Sequence, residues 1–177
     1  MTRINNSFST EGILTTGVPQ GSIIGPLLFN IYINDMFLFV PEINIANYAD
    51  DTTPYTTSKC INSLLKKLED NTSEIVKWLR NNYMKSNTDK NHLIVTNCDK
   101  ACITIDNNVI EANTSVKLLG VTIDNKLNFA EHISKICKTV STKLHALARV
   151  AKFMTSEKLR IIMKAFIESQ FGYCPLI

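Results

Sequence analysis

Two adjacent aspartates, Asp50 and Asp51, are the residues of this sequence best suited to metal-assisted chemistry. Residues 43–47 before them are small or β-branched, and residues 52–57 after them are rich in Thr and Tyr, so both flanks favour strands. The pair is therefore predicted at the tip of a hairpin. Two carboxylates about 4 Å apart repel by about 1 kcal/mol in water and by about 4 kcal/mol at an effective dielectric constant of 20. A hard cation such as Mg²⁺, which prefers carboxylate oxygens, would relieve that repulsion.

An Asp pair alone is most often a solvated turn, but a second segment precedes this one. Residues 17–22 read Gly-Val-Pro-Gln-Gly-Ser and lead into the apolar stretch 23–29. Pro19 pushes the residue before it into an extended conformation, and Gly21 allows close approach of a ligand to the backbone. Without a ligand, the same segment is an ordinary loop capped by Ser22 at the start of a helix.

Together the two segments resemble the reverse transcriptases of non-LTR (LINE-type) retrotransposons, most closely the jockey-like group. The loop is similar to polymerase motif B, and Tyr48-Ala49-Asp50-Asp51 is similar to motif C. The resemblance implies RNA-directed DNA synthesis, in which nucleotides pass from dNTPs to a primer 3′ end by a two-metal mechanism. It also implies that Asp50 binds metal directly and that Asp51 supports the site or binds the second ion. The implied ion is Mg²⁺, with Mn²⁺ as the alternative.

The same resemblance assigns residues to the substrates. Pro19, Gln20 and Gly21 are expected to border the incoming nucleotide and the template base, and Tyr48 is expected near the primer end. Lys90 matches a lysine of motif D, which usually reads Leu-x-Leu-Asn-x-x-Lys-Thr in the family. Asn87 matches as well, whereas Ser86 replaces the second Leu and Asn91 replaces Thr. Lys90 is either a general acid near the triphosphate or a solvated turn lysine, and the two interpretations carry equal weight.

Two further regions are expected to hold the nucleic acid. Leu119 and Gly120 lie in a segment similar to motif E, the primer grip. Between residues 126 and 164 there are nine Lys or Arg residues and two Glu residues, although the formal net charge of the whole chain is only +3. This basic region is interpreted as a thumb that contacts phosphates, or as an ordinary soluble helical surface. Its candidate phosphate-binding residues are Lys135, Lys138, Lys143 and Arg149.

The expected fold is α+β: a partial right-hand polymerase palm, with an antiparallel sheet and packed helices, over 1–125, and a basic helical thumb over 126–177. Apolar periodicity predicts core-facing helices and an apolar face on a thumb helix. The predicted core residues of the first helix are Leu27, Leu28, Ile31 and Tyr32. The second helix is predicted to end at about Asn82, with a possible break at Thr72-Ser73. The predicted apolar face of the thumb helix comprises Ile133, Ile136, Val140, Leu144 and Leu147. Predicted strands are Gly12–Thr16, Leu93–Thr96, Cys102–Ile105, Val109–Ile110 and Val116–Ile123, and Lys158–Gln170 is a further helix.

The residues before the loop, 1–16, contain no Asp. In the family a strand upstream of this loop carries the first metal-binding Asp, and the fingers precede it. We therefore expect that this chain does not polymerise by itself and that its partners are an RNA template, a DNA primer, dNTPs and the N-terminal palm and fingers of a full-length element. Two alternatives remain: a non-catalytic remnant that at most binds nucleic acid through its basic helices, and a single-metal nuclease or other hydrolase, in which the loop would have no role.

The five cysteines are odd in number, and no secretory signal opens the chain, which predicts reduced thiols and a nuclear or cytoplasmic setting. Cys98 and Cys102 have a metal-like spacing without a second pair, so zinc is not expected. The longest apolar run, 23–40, is interrupted by proline and polar residues, which predicts a buried helix and no membrane association.

Overall fold

Helices alternate with small two-stranded sheets along this chain, so the predicted α+β class is confirmed. The computed structural model describes residues 3–4, 7–9, 17, 21–98 and 100–174. The strand predicted at Gly12–Thr16 lies outside them.

The chain divides into two compact units, Met1–Ser86 with Ile105–Asn107, and Asn87–Thr104 with Asn108–Ile177. The predicted palm (1–125) and thumb (126–177) are functional regions and were not defined as compact units. The boundary between them therefore stays a prediction.

The described part of the first unit combines antiparallel hairpins with helices. Its elements are β1 (Arg3–Ile4), β2 (Ser7–Phe8), α1 (Gly25–Ile33), a 3₁₀ turn (Asn34–Leu38), β3 (Asn44–Tyr48), β4 (Asp51–Tyr55) and α2 (Ile61–Asn81). β1 pairs with β2, and β3 pairs with β4, each antiparallel. β3 and β4 are joined by only two residues, Ala49 and Asp50, which is the commonest connection of an antiparallel hairpin.

A cluster of buried apolar side chains fastens the β3–β4 hairpin to the helices. Where α1 ends, the chain tightens into the 3₁₀ turn, and Met36 and Val40 become almost fully buried, with 1% and 2% of their surface exposed. Ile45 of β3 packs against this cluster, so one face of the hairpin is anchored in the core. The buried members are Ile33, Met36, Val40, Ile43, Ile75 and Trp78.

Helix α1 faces this core with only one of its apolar sides. The prediction that Leu27, Leu28, Ile31 and Tyr32 are core residues is wrong for the structure described, since their exposed fractions are 59%, 49%, 64% and 46%. The reason is that α1 is apolar on nearly every side, so its periodicity does not identify the buried stripe. A helix of this kind is typical of the interior of a larger protein.

Helix α2 is continuous, and its end at Asn81 confirms the prediction of an end near Asn82. The weak point predicted at Thr72-Ser73 does not interrupt it. Its buried residues Leu68, Ile75 and Trp78 recur on one side, as amphipathic periodicity predicts.

The second unit contains hairpins followed by helices. Its elements are a 3₁₀ turn (Thr88–Lys90), β5 (Cys102–Ile105, whose last residue is assigned to the first unit), β6 (Asn108–Glu111), β7 (Ser115–Leu118), β8 (Val121–Asp124), α3 (Ala130–Ala151), α4 (Ser156–Met163), a π-helical turn (Lys164–Glu168) and α5 (Ser169–Phe171). The segment predicted as a strand at Leu93–Thr96 forms only an isolated bridge from Leu93 to Ala112. The predicted helix Lys158–Gln170 is present as α4, the π-helical turn and α5, and Thr155 makes no side-chain capping bond.

The predicted strand Val116–Ile123 is wrong as one strand, because the chain reverses inside it. β7 pairs antiparallel with β8, with Leu118 opposite Val121. The turn residues Leu119 and Gly120 have φ values of 47° and 89°. Positive φ at both central residues is the signature of a type I′ turn, which suits the twist of a hairpin.

Helix α3 is attached to β8 through a buried histidine. The backbone N–H of Thr122 donates to Nδ1 of His132 at 3.3 Å, and both residues are buried. Val140 is buried on the same helix, whereas Ile133 and Leu144 are 44% and 40% exposed, so the predicted apolar face is only partly covered.

The loop before α3 is closed by Asp124. Its carboxylate accepts backbone N–H bonds from Lys126 at 3.0 Å, Asn128 at 3.3 Å and Phe129 at 2.6 Å. Partial desolvation acts to raise the pKa of Asp124, but these N–H donors outweigh it and hold the pKa below its ordinary value. Among the helices in the part of the chain that the structure describes, none is long and apolar enough to cross a membrane.

Candidate active site

The two aspartates lie where the sequence predicts them, at the tip of the β3–β4 hairpin. Tyr48 at the end of β3 pairs with Asp51 at the start of β4, which leaves Ala49 and Asp50 as a two-residue turn. Ala49 has φ of 52°, a conformation that favours glycine over residues with a Cβ. The turn is therefore tight, and it presents Asp50 and Asp51 side by side at one end of the hairpin.

Two polar side chains form hydrogen bonds that brace this turn. Asn47 donates from Nδ2 to the carbonyl of Ala49 at 3.0 Å, and its Oδ1 accepts the hydroxyl proton of Thr52 at 2.7 Å. Asn47 and Thr52 are directly opposite in the strand register and are half-buried. These two hydrogen bonds hold the Ala49 carbonyl in place and join the ends of β3 and β4 next to the Asp pair.

Both carboxylates are exposed, so they are accessible to a cation and its water shell. Mg²⁺ is commonly held by one or two carboxylates together with water and substrate phosphates, and this donor set fits that pattern. Among the residues described, no group of three or more His, Cys, Asp or Glu side chains could hold a metal ion. The hairpin therefore offers two oxygen-ligand residues, and further ligands would come from substrate, water or another segment.

The loop before α1 is described only from Gly21 onward and at Gly17. Gly21 is exposed with φ of 82°, which agrees with a backbone conformation that glycine adopts readily. Ser22 accepts the backbone N–H of Gly25 on its Oγ at 3.0 Å and so satisfies one donor at the start of α1. The predicted nucleotide-binding residues Pro19 and Gln20 lie outside the described residues. Tyr48 is 68% exposed beside the Asp pair.

Lys90 lies in the second unit, at the end of the Thr88–Lys90 3₁₀ turn. Its side chain is exposed, and its backbone N–H donates to the carbonyl of Asn87 at 3.1 Å. The turn geometry is compatible with both predicted interpretations, a phosphate-binding lysine and a solvated turn lysine.

The predicted primer-grip residues form the β7–β8 turn, and Tyr173 lies against them. The Tyr173 hydroxyl donates to the carbonyl of Leu119. A Cβ placed on Gly120 would lie 3.6 Å from Cε1 of the Tyr173 ring. The turn is thus contacted at both of its central residues by a side chain from the C-terminal end of the same unit.

Two of the four candidate phosphate-binding cations are engaged within the protein. Lys135 forms an ion pair with Glu131 at 2.8 Å and donates to Oγ1 of Thr122 at 3.2 Å. The Lys135 ammonium, which hydrogen-bonds the Glu131 carboxylate, holds the pKa of Glu131 below its ordinary value. Lys143 donates to the carbonyl of Phe166 at 3.3 Å.

Lys138 and Arg149, the other two candidates, are exposed on α3. They are separated by about three turns of helix, so they lie on the same side of it. They are therefore better placed to meet a phosphate backbone than Lys143, which points toward the π-helical turn.

Asn47 and Tyr173 lie at the site although they were not among the predicted site residues. Asn47 could have been found, because a two-residue turn at Ala49-Asp50 makes Asn47 and Thr52 a cross-strand pair. The Tyr173 contact joins residues that are 54 positions apart, and no local sequence pattern indicates it.

The chain matches a known protein family over most of its length. A profile of the family described as "Reverse transcriptase (RNA-dependent DNA polymerase)" matches residues 1–123. The matched region includes the Asp50-Asp51 hairpin, Lys90 and the β7–β8 turn.

Similar proteins include several that are named as polymerases, or probable polymerases, of mobile elements. The chain is 31% identical over 141 residues to the RNA-directed DNA polymerase from mobile element jockey of Drosophila melanogaster, covering 74% of this chain and 15% of that protein. It is 25% identical over 177 residues to the probable RNA-directed DNA polymerase from transposon BS of the same species, covering 93% of this chain and 19% of that protein. The chain therefore spans less than a fifth of the length of these relatives. No solved structure matches the chain significantly.

Proposed function

The chain belongs to the reverse transcriptase (RNA-dependent DNA polymerase) family, and from this premise we propose that it forms the palm segment bearing the catalytic Asp pair, followed by part of a thumb. Residues 1–125 are assigned to the palm and 126–177 to the thumb of a right-hand polymerase. The reaction is template-directed transfer of nucleotides from dNTPs to a primer 3′ end. The observation that carries the proposal is the tight β3–β4 hairpin with Asp50 and Asp51 exposed at its tip.

Reverse transcriptases are enzymes that use divalent metal ions, and Mg²⁺ is the ion proposed here, with Mn²⁺ as the alternative. Asp50 binds the ion directly, and Asp51 supports the site or binds a second ion. When bound, two such ions would stabilise the attacking and leaving oxygens of an in-line phosphoryl displacement. The contribution of the chain itself is positional, because the tight turn places Asp50 and Asp51 at the hairpin tip and the hydrogen bonds of Asn47 hold the backbone on either side of them.

The incoming nucleotide is proposed to contact residues of the loop before α1, the end of β3 and Lys90. In the proposal, Pro19, Gln20 and Gly21 border the incoming nucleotide and the template base, and Tyr48 lies near the primer end. Lys90 binds the triphosphate and donates a proton to the leaving pyrophosphate as a general acid. The exposure of Gly21, Tyr48 and Lys90 is compatible with these contacts.

The nucleic acid is held by the second unit. Leu119 and Gly120 form the primer grip, and the basic residues of α3 contact phosphates without reading sequence. Lys138 and Arg149 contribute most, because Lys135 and Lys143 must first leave their internal partners.

The chain alone is proposed not to polymerise. The hairpin supplies two carboxylates, whereas a two-metal site in this family also uses an Asp from a strand upstream of the loop. The partners proposed for activity are an RNA template, a DNA primer, dNTPs and the N-terminal palm and fingers of a full-length element. A second candidate function is that of a non-catalytic remnant that binds nucleic acid through its basic helices. The exposed Lys138 and Arg149 favour that candidate equally well.

Binding of a labelled RNA–DNA primer–template to the 177-residue chain tests the nucleic-acid part of the proposal. The logarithm of the binding constant should fall linearly with the logarithm of salt concentration, and Lys138→Ala or Arg149→Ala should each reduce the magnitude of that slope by about 1. Lys77→Ala is the matched control, because Lys77 pairs with Glu74 on α2 at 2.8 Å and belongs to the other compact unit. Binding that does not depend on salt, or that responds equally to all three variants, would contradict the assignment.

Primer extension with Mg²⁺ and dNTPs on an RNA template tests the statement about activity. The expected result is no extension by the chain alone, together with measurable primer–template binding. Extension that Asp50→Asn abolishes would show that the catalytic residues are correct and that the proposed inactivity is wrong.

A further inference from the structure

Tyr173 makes two separate contacts with one turn. Its hydroxyl donates to the carbonyl of Leu119, and its ring lies in van der Waals range of the Cβ position of Gly120, with Cε1, Oη and Cζ at 3.6, 3.7 and 3.9 Å. The three residues belong to the same compact unit. The ring therefore covers one side of Gly120 while the hydroxyl holds the carbonyl next to it.

The turn needs such support because of its sequence. Leucine is disfavoured at positive φ, yet Leu119 has φ of 47°. Asn-Gly and Asp-Gly are the usual pairs in a type I′ turn, and Leu-Gly is not among them. A disfavoured backbone conformation persists where the surrounding contacts hold it in place. The contacts of Tyr173 with Leu119 and Gly120 hold this turn in that way.

We propose that Tyr173 is a positioning residue of the primer grip, which sets the conformation of the Leu119-Gly120 turn. The inference rests on the proposed function, since it takes this turn as the place where the primer backbone is held. Tyr173 need not touch the primer. It acts through the Leu119 carbonyl and leaves Gly120 to be approached from a side that the ring does not cover.

The two contacts of Tyr173 can be removed separately by substitution. Tyr173→Phe keeps the ring on Gly120 and removes only the hydroxyl, whereas Tyr173→Ala removes both contacts. The effect on the turn should therefore increase from the Phe variant to the Ala variant. Tyr83→Phe is the matched control, because Tyr83 is 99% exposed and lies in the other unit.

The test measures two quantities on the same set of 177-residue chains: amide hydrogen exchange at Gly120 and Val121 by NMR, and affinity for an RNA–DNA primer–template. We expect Tyr173→Phe to accelerate exchange at these amides about three- to ten-fold and to weaken primer–template binding by a similar factor, as for the loss of one hydrogen bond. Tyr173→Ala should have the larger effect on both, and Tyr83→Phe should change neither. Because the Phe variant keeps the ring, it reports on the contact even where the Ala variant does not fold.

The outcomes separate the two proposals. Unchanged exchange in Tyr173→Phe and in Tyr173→Ala would overturn the positioning role, whatever the affinity. Faster exchange without any change in affinity would overturn the role in primer binding, given that the wild-type chain binds. Absence of primer–template binding by the wild-type chain would contradict the proposed function itself, and the positioning of the primer grip would be overturned with it, although exchange would still show whether Tyr173 holds the turn.

Discussion

The Asn47–Thr52 pair should determine how firmly the Asp50-Asp51 tip is held. Asn47→Ala removes two side-chain hydrogen bonds, one to the Ala49 carbonyl at 3.0 Å and one from the Thr52 hydroxyl at 2.7 Å. Thr52→Val removes only the second bond and nearly conserves the side-chain volume. The two substitutions therefore share one interaction, and a double-mutant cycle isolates it.

The expected magnitudes follow from the contacts. A hydrogen bond between neutral groups contributes about 0.5–1.5 kcal/mol, and both residues here are half-buried rather than fully buried. We expect Asn47→Ala to reduce the free energy of opening of the hairpin by about 1–2 kcal/mol and Thr52→Val by about 0.5–1 kcal/mol. The coupling energy should be about 0.5–1 kcal/mol, because the double variant loses the shared bond only once.

Amide hydrogen exchange of the β3 and β4 residues measures this local opening directly. Thr53→Val is the matched control, because Thr53 is the next residue along β4 and points to the other face of the hairpin. A coupling energy indistinguishable from zero, or an equal effect of Thr53→Val, would refute the conclusion that Asn47 and Thr52 brace the tip.

Ala49→Gly should raise the free energy of unfolding by about 0.5–1 kcal/mol in urea denaturation, since φ of 52° suits glycine; a decrease would contradict the turn geometry. The lowered pKa of Asp124 stabilises the fold above the unfolded-state pKa, and this contribution is lost as pH falls below about 4, so wild type and Asp124→Asn should converge in stability there; a constant difference down to pH 2 would refute the charge-based cause. The backbone N–H of Ser63 lowers the pKa of the exposed Cys60 thiol, so maleimide should modify Cys60 several-fold faster than the exposed Cys102 at neutral pH, and equal rates would contradict it.

The hairpin tip could be predicted because its signals are local. Strand-forming flanks and a two-residue gap at Ala49-Asp50 determine the register, and the register alone places Asp50 and Asp51 at the tip. The reversal at Leu119-Gly120 was missed for the opposite reason. The strong strand propensity of its flanks hides the turn, and only Gly120 indicates it.

Features that depend on distant residues could not be predicted. Which side of α1 is buried depends on the packing of Ile75 and Trp78 from α2, and an all-round apolar helix carries no mark of it. The same holds for Tyr173, whose contact with Leu119 spans 54 positions. Periodicity identifies elements, whereas their partners are decided by packing.

Binding of Mn²⁺ at the hairpin tip tests the central claim most directly. Paramagnetic broadening of backbone NMR signals during a Mn²⁺ titration should be centred on Asp50 and Asp51 and should be competed away by Mg²⁺. Asp50→Asn should weaken the broadening strongly, and Asp51→Asn should weaken it less. Asp35→Asn, which changes an exposed aspartate of the 3₁₀ turn Asn34–Leu38, should leave the broadening unchanged. Broadening centred elsewhere, or undiminished when both Asp50 and Asp51 are replaced by Asn, would contradict the assignment of this hairpin as the metal-binding element of a reverse transcriptase palm.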